Sequence, residues 1–239
     1  MKRIYPDLTQ LATINLYDVA PGILLSFEES LRDYAMKQFA REGVSIHPNS
    51  RVLKVGDGWM DIEGEGRLPF GLLVWSTGLQ PNPLIDTMTG VSKDPRSRSL
   101  HTDGNLRLLD KEGQPFPNVF AIGDNSVVKD GPRLPATAQV ATQKALQLAK
   151  NLNAIVNNKS EEAFQLRSAG SMVYLGNWRA MIDRTAPDVA GVKGKDAGVS
   201  AWFLWRSAYW GMTMSWRNRF LLSVYWGINI LTGRDISRF

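Results

Sequence analysis

The chain has 239 residues, 44% of them hydrophobic and 21% charged, a composition ordinary for a globular protein and a length that can bury a real core in one large domain or two small ones. It contains no cysteine, which excludes a disulfide framework, a thiolate metal site and a cysteine nucleophile, and its two histidines, His47 and His101, lack ligand-like spacing, so no metal is expected. No apolar run reaches the roughly 18 residues of a membrane-spanning helix, and "MKRIYPDLTQ" reads as neither a secretory signal nor a transit peptide.

Residues 13 to 19, "TINLYDV", read as a strand with Ile14 and Leu16 on one face. "SFEESLRDYAMKQFAREG" follows as a helix, with Ser26 as N-cap, Glu29 completing a capping box and Gly43 as the stop. Its apolar stripe is Phe27, Leu31, Tyr34, Ala35 and Phe39. The short strands "VSIH", "RVLKV" and "WMDIE" come next, with a hairpin turn at Gly56-Asp57-Gly58. "LLVWSTG", residues 72 to 78, is a continuous apolar run of the kind buried on both faces of a sheet. Residues 79 to 118, rich in Pro, Gly, Asp and Ser, read as connection plus a short hairpin around "LHTDGNLRLL". "VFAI", residues 119 to 122, is a second buried strand, ending in Gly123-Asp124. A proline-punctuated loop then leads to a helix from about Thr137 to Asn151. "GSMVYLGNWRAMID" reads as two short strands with a Gly176-Asn177 turn. The tail is helical, broken near Ser215 and Gly227. This succession predicts an α/β fold.

The tail also carries most of the net charge of +5. Beyond residue 200, Arg206, Arg217, Arg219, Arg234 and Arg238 stand against Asp235 alone, interleaved with Trp202, Trp205, Trp210, Trp216 and Trp226. Trp202, Trp205, Tyr209 and Trp216 recur at helical spacing, and no lysine follows residue 195. Nucleic-acid binding needs basic residues converging on phosphates. Indoles beside arginines suit a lipid headgroup boundary instead. Residues 200–239 are therefore read as binding an anionic membrane surface, not nucleic acid, with burial between the protomers of a homodimer as the alternative.

A nucleotide-binding βαβ unit needs a glycine-rich turn, a helix N-terminus under the pyrophosphate and an acid on the ribose about 20 residues later. No GxGxxG occurs; "GDG" at 56–58 and "GEG" at 64–66 are turns. Asp18 sits where the ribose acid belongs, which would put the glycine turn before Met1, although a surface aspartate at a strand end explains it as well. Gly123-Asp124 says more. Glycine lets a cofactor backbone approach, aspartate accepts hydrogen bonds from sugar-like hydroxyls, and the helix after Pro135 offers unpaired N–H groups and a positive dipole end. A reduced isoalloxazine, negative near N1 and O2, would be stabilised there.

"LLVWSTG" with "VFAIGDNS" resembles the paired ATG and GD motifs of two-dinucleotide-binding flavoprotein oxidoreductases. "LPATAQVATQKA" is similar to the AQxAxQ stretch of type II, non-proton-pumping NADH:quinone oxidoreductases. "GSMVYLGNWRAMID", "LWRSAYWGMTMSWRNRF" and "GRDISRF" resemble the C-terminal membrane-anchoring module of the fungal, plant and protist members. The resemblance implies incomplete Rossmann-type domains, with 1–78 as the remainder of an NADH-binding domain, 79–165 as the C-terminal part of an FAD-binding domain and 166–239 as an amphipathic helical membrane-anchoring and dimerisation module. Both of the family's GxGxxG fingerprints would lie upstream, so the chain is expected to be a C-terminal portion.

The resemblance implies that Gly123 and Asp124 meet the FAD ribityl chain, and that Ala138 and Gln139 meet the flavin ring through main-chain groups. Trp75, Thr77 and Gly78 would approach the nicotinamide, though Trp75 is as readily core packing. Asp18 would bond the ribose 2′-hydroxyl and disfavour NADPH. Gln139, Thr142 and Tyr209 would border the quinone pocket; many relatives carry His at the position of Thr142, and a threonine hydroxyl, unlike that imidazole, does not titrate near neutral pH. Gln139, Thr142 and Gln143 share one helical face, whereas Ala138, Ala141, Ala145 and Leu148 form another, and a polar stripe by itself is usually only a solvated face. The implied protein is a peripheral enzyme of the mitochondrial inner membrane that passes a hydride from NADH to FAD and two electrons to ubiquinone. The alternatives are a soluble pyridine-nucleotide disulfide reductase-like flavoprotein and a non-catalytic membrane-binding remnant.

Overall fold

The computed structural model describes residues 7, 8, 11–213 and 215–233; the "RDISRF" end of the tail lies outside the described residues. The chain forms two compact units, Met1–Leu73 with Ser168–Phe239, and Val74–Arg167.

The first unit opens with β1 (Ile14–Tyr17), α1 (Glu29–Arg41) and β2 (Val44–His47). The two strands pair in parallel, Ile14 with Val44 through Tyr17 with His47, and parallel strands need a crossover, which α1 supplies. The helix starts two residues later than the capping box predicts. Ser26 is exposed, and Glu28 caps the helix, accepting from the Ser30 N–H at 3.0 Å. Tertiary partners decide this: Glu28 N–H donates to Asp183 Oδ2 at 2.7 Å, and Lys195 Nζ reaches the Glu28 carboxylate at 2.9 Å. Gly43, at φ +76°, ends the helix as expected. The predicted stripe is the buried face, with Phe27, Leu31 and Ala35 in the core and Tyr34 and Phe39 packed against it. An antiparallel meander follows, β3 (Val52–Gly56), β4 (Trp59–Ile62) and β5 (Gly66–Pro69).

Residues 72–78 do not form the predicted buried strand. They take no regular secondary structure, and Leu72, Val74 and Trp75 are 84%, 77% and 57% exposed. An apolar run becomes a strand only where a neighbour offers free N–H and C=O groups, and none lies alongside it among the described residues. The second unit continues with the short helix α2 (Pro83–Thr87), then β6 (Leu100–Thr102), β7 (Arg107–Leu109), β8 (Pro115–Phe120) and β9 (Ser126–Val128). Their order in the sheet is β8-β7-β6-β9. The β6–β7 hairpin matches the sequence reading. The strand expected at 119–122 instead begins at Pro115, stops at Phe120 and runs antiparallel at the sheet edge, mostly exposed. An edge strand tolerates Pro115 and Pro117 because its outward N–H groups need no partner. The core here is Ile85, Val91, Leu100, Leu108 and Ala121.

Helix α3 (Ala138–Val156) is capped by Thr137 and runs five residues past the predicted end. Asn151 does not stop it because that side chain is buried and paired, donating to Glu162 O at 2.9 Å and accepting from Glu162 N–H at 3.1 Å. The rest of the chain returns to the first unit as β10 (Ser171–Gly176), β11 (Arg179–Asp183), β12 (Lys195–Gly198), α4 (Val199–Met212) and α5 (Trp216–Thr232). The β10–β11 turn is centred on Asn177-Trp178, both at positive φ, one residue beyond the predicted pair. Alternation along β11 covers both faces of this sheet. Met181 packs with the Phe27–Leu31–Ala35 cluster of α1, while Ala180 and Ile182 pack with Ala201 and Trp202 of α4. Segments that the sequence placed in separate domains thus share a core. α4 ends at Met212 and α5 starts at Trp216 after its N-cap Ser215, near the predicted break, but Gly227 lies inside α5 and does not interrupt it.

Candidate functional site

The second unit holds a cleft of about 440 Å³ lined by residues 79–82, the turn 123–126, the loop 132–136, and Val140 and Lys144 of α3. Gly123 has φ +83°, and the position a Cβ would take lies in open space. That backbone favours glycine, and the open space lets a ligand come close. The Asp124 carboxylate has no hydrogen-bond partner among the described residues and is exposed at the cleft. The turn behind it is closed by Ser126, whose N–H and Oγ both donate to Gly123 O, at 3.4 and 3.3 Å. Just past the lining residue Ala136, Thr137 Oγ1 accepts from Val140 N–H at 3.4 Å. The Ala138 and Gln139 N–H groups find no acceptor among the described residues and form the positive end of the helix, although neither residue is part of the cleft lining. Arg133 stands at the rim, donating to Asp94 Oδ2 at 2.9 Å. The Ser97 N–H holds the Asp94 carboxyl below the usual range, with Ser97 Oγ, Arg96 N–H and Arg133 adding to it.

Lys144 is a cleft residue that the sequence reading missed. Its side chain is buried and Nζ donates to Ser126 O at 2.9 Å and Ser126 Oγ at 3.1 Å. Burial pushes its pKa down, with nearby Asp124 acting in the opposite sense. The available signal was its spacing four residues after Val140 on the same helical face.

The other expected residues separate. Gln139 is half-buried and Thr142 exposed, and neither side chain has a partner among the described residues. Gln143 is committed to structure, donating to Arg167 O and accepting from Arg167 N–H, both at 3.0 Å. Ala138 and Ala145 are exposed, so the helix buries Val140, Lys144 and Asn151 rather than an alanine face. Trp75, Thr77 and Gly78 are exposed on the irregular segment 72–78, and the cleft lining starts only at Leu79. Tyr209 belongs to the first unit, its ring tilted against that of Trp205 at 4.6 Å between centroids, whereas Gln139 and Thr142 belong to the second. Asp18, half-buried, stands at the carboxyl end of β1, where its Oδ1 accepts from Ala20 N–H at 2.9 Å. Tyr17 stacks on His47 beside it, ring centroids 4.5 Å apart.

The tail also differs from its predicted stripe. Trp202 is 5% exposed and belongs to the core, whereas Trp216 is 75% exposed. Two arginines lie on indoles: Arg206 over Trp202 and Trp226 at 5.0 and 4.0 Å, and Arg219 over Trp210 and Trp216 at 5.1 and 5.0 Å. Arg219 also donates to Thr213 O and Gly211 O, so these side chains hold the α4–α5 hairpin. α5 buries none of its residues and exposes apolar side chains, among them Phe220, Val224, Tyr225, Ile228 and Leu231. Among the described residues no helix is long and apolar enough to cross a membrane, and no group of His, Asp or Glu could hold a metal ion.

Residues 8–145 match the pyridine nucleotide-disulphide oxidoreductase family, and residues 169–235 match the NDH2 C-terminal domain. The chain is 35% identical to the mitochondrial internal alternative NAD(P)H-ubiquinone oxidoreductase A1 of Arabidopsis thaliana, over 92% of its own length and 44% of the relative's. It is 30% identical to the mitochondrial external alternative NADH-ubiquinone oxidoreductase of Yarrowia lipolytica, over 100% of this chain and 48% of that one. It therefore spans about half the length of the curated relatives it matches. Its fold is like that of NDH2 from Plasmodium falciparum in complex with NADH, with a TM-score of 0.85 and 20% identity, over 99% of this chain and 62% of that one. The mixed α/β fold, the positive-φ glycine and free carboxylate at the cleft, and these matches place the chain in the pyridine nucleotide-disulphide oxidoreductase family, with a C-terminal domain of the NDH2 type.

Proposed function

We propose that the chain serves in a type II NADH:ubiquinone oxidoreductase, passing a hydride from NADH to FAD and two electrons to ubiquinone without proton pumping. The observation that carries this reading is the cleft itself, where Gly123 leaves open space and Asp124 offers an unpaired carboxylate, with the unpaired N–H groups of α3 following the lining loop 132–136. These are the groups an FAD needs: an acceptor for ribityl hydroxyls, and donors for a ring that turns anionic on reduction. The redox chemistry belongs to the flavin, and the chain's part is to bind, orient and stabilise it. Asp18, at the carboxyl end of a parallel strand in a βαβ unit, suits an adenosine ribose and disfavours a 2′-phosphate, so NADH is preferred to NADPH. The free side chains of Gln139 and Thr142 face the quinone. Tyr209 borders the same substrate in this reading, and Trp75, Thr77 and Gly78 meet the nicotinamide.

The segments 1–78, 79–165 and 166–239 serve NADH, FAD and the membrane respectively. Residues 200–239 dock on anionic lipid. The exposed apolar residues of α5, rather than the core-bound Trp202, support this. The setting is the mitochondrial inner membrane, bound peripherally, with the protein as a homodimer; the mitochondrial relatives support the compartment. A fluorescence titration tests the cleft. FAD should bind this chain saturably but not tightly, because no GxGxxG turn is present to cradle the pyrophosphate, and Asp124→Ala should weaken that binding by about a further tenfold, the scale of a charge-assisted hydrogen bond. Protein that binds vesicles yet shows no saturable FAD binding would favour a non-catalytic membrane-binding remnant instead.

A further inference from the structure

The two sides of the cleft are held in different ways. The turn 123–126 is pinned three times: Ser126 closes onto Gly123 O, Lys144 Nζ donates to Ser126 O and Oγ, and Ser99 Oγ donates to Asp124 O at 3.5 Å. The loop 132–136, "PRLPA", has no backbone hydrogen bond among the described residues, and every residue in it except Leu134 is exposed. Pro132 and Pro135 have no N–H to give. The loop's one polar tie among the described residues is Arg133, whose guanidinium donates to Asp94 Oδ2 at 2.9 Å. Asp94 is a fixed post. It is 8% exposed, and its other oxygen accepts from Arg96 N–H, Ser97 N–H and Ser97 Oγ at 3.0, 2.7 and 3.0 Å. His101 Nε2 stands farther from Oδ2, at 4.0 Å. Arg133, with a side chain 61% exposed, is free to leave. Ser97 and Ser99 line the cleft beside Asp94, and Arg133 lines it from the loop, so the ion pair bridges two parts of the rim.

We propose that the Arg133–Asp94 ion pair is a strap that gates the cleft. With the strap made, loop 132–136 narrows the way in; with it broken, the loop swings aside and a ligand enters or leaves. Local opening is easiest where backbone hydrogen bonds and buried contacts are few, and this loop has few. Its two prolines stiffen it, so it moves as one piece between Gly131 and Thr137, the N-cap of α3. A strap is present with the cleft empty or full, and it therefore slows entry and exit alike without changing affinity. A guanidinium that touched the ligand would slow exit only. One that attracted an anion would speed entry. Loss of either would weaken binding, and that separates both from a gate.

Stopped-flow fluorescence on the intact chain, with FAD as the probe, reads the two rates; this arm rests on the flavin reading of the cleft. Arg133→Gln should raise both rate constants about fivefold, the scale of an ion pair with one exposed partner, and leave the dissociation constant within about twofold. Arg133→Lys, which keeps the charge, should fall between the two. Raising salt from about 0.05 M to about 0.5 M should narrow the gap between wild type and Arg133→Gln, because screening loosens the strap. The fold tolerates these changes, since Arg133 is a surface side chain and Asp94 keeps three donors. A second arm needs no ligand. The chain has no cysteine, so Ala136→Cys gives a nitroxide a single anchor in the loop. Its spectrum should sharpen when Arg133→Gln is added. Faster release with unchanged or slower entry would make Arg133 a ligand contact, and a nitroxide indifferent to Arg133→Gln would show that the loop is held otherwise; either result overturns the strap. Absence of saturable FAD binding sinks the flavin reading, and the nitroxide then decides the strap alone.

Discussion

Two tryptophans that share one predicted stripe should respond to truncation in opposite ways. Trp202 is 5% exposed, packs with Ala180, Ile182 and Ala201, and meets Trp178 at 4.8 Å between ring centroids. A buried indole of about 200 Å² at ~25 cal/mol per Å² contributes about 5 kcal/mol as an upper figure, and Trp→Ala in a core costs about 4 kcal/mol. For a chain of this size that is a fall of roughly 10 °C in melting temperature. Trp216 is 75% exposed on α5, and Trp216→Ala should cost less than about 1 kcal/mol, most of it from the lost Arg219 stack at 5.0 Å. The same change should reduce partitioning onto anionic vesicles about fivefold, because an indole leaves the bilayer boundary. Calorimetry and vesicle co-sedimentation on both variants read the two effects. If Trp202→Ala melts with the wild type, or Trp216→Ala destabilises as much as Trp202→Ala, the division of the tail into core and lipid-facing parts is wrong.

Acid should act through Glu28, whose carboxyl is held down to about 2 from 4.5, first by the Ser30 hydroxyl and then by Lys195. A lowered folded-state pKa means stability that is present above about pH 4.5 and is lost as pH falls towards about 2. Glu28→Gln should flatten that part of the acid-unfolding curve, and an unchanged slope would contradict the assignment. In the second unit, Arg107 forks onto both oxygens of Glu161, with side chains only 16% and 19% exposed. Arg107→Ala should cost about 2 kcal/mol in denaturant unfolding, and Arg107→Lys should recover less than half of it, since lysine cannot form the fork. Full rescue by lysine would show that charge alone is at work there.

What was legible in the sequence was local and periodic. The stripe of α1, its glycine stop and the β10–β11 hairpin follow from spacing and turn chemistry, which the chain carries within a dozen residues. What was not legible depends on partners distant in sequence. Residues 72–78 have strand-like composition, but a ladder needs a neighbour, and none lies alongside them. Conversely, β12 is "KDAG", with no β signal, and is a strand because β11 pairs with it from Ala180 to Asp183. Glu28 displaces Ser26 as the cap through Asp183 and Lys195, more than 150 residues away. In the cleft, Gly123, Asp124 and the start of α3 were readable as glycine, acid and helix N-terminus. Lys144 was not, because a lysine on a helix is ordinarily solvated. The tail arginines were assigned to lipid because charge counts do not reveal that Arg206 and Arg219 lie on indoles of their own helical hairpin.

The central claim, electron transfer from NADH through flavin to quinone past the free face of α3, is tested most directly in native membranes. The gene is edited to Gln139→Leu, and NADH:ubiquinone and NADH:ferricyanide activities are measured side by side. Ferricyanide can take electrons without entering the quinone pocket, so the account predicts a loss of roughly tenfold with ubiquinone and little change with ferricyanide. Equal loss with both acceptors would place Gln139 in flavin binding or folding, and no loss with ubiquinone would remove the quinone from this face of the helix.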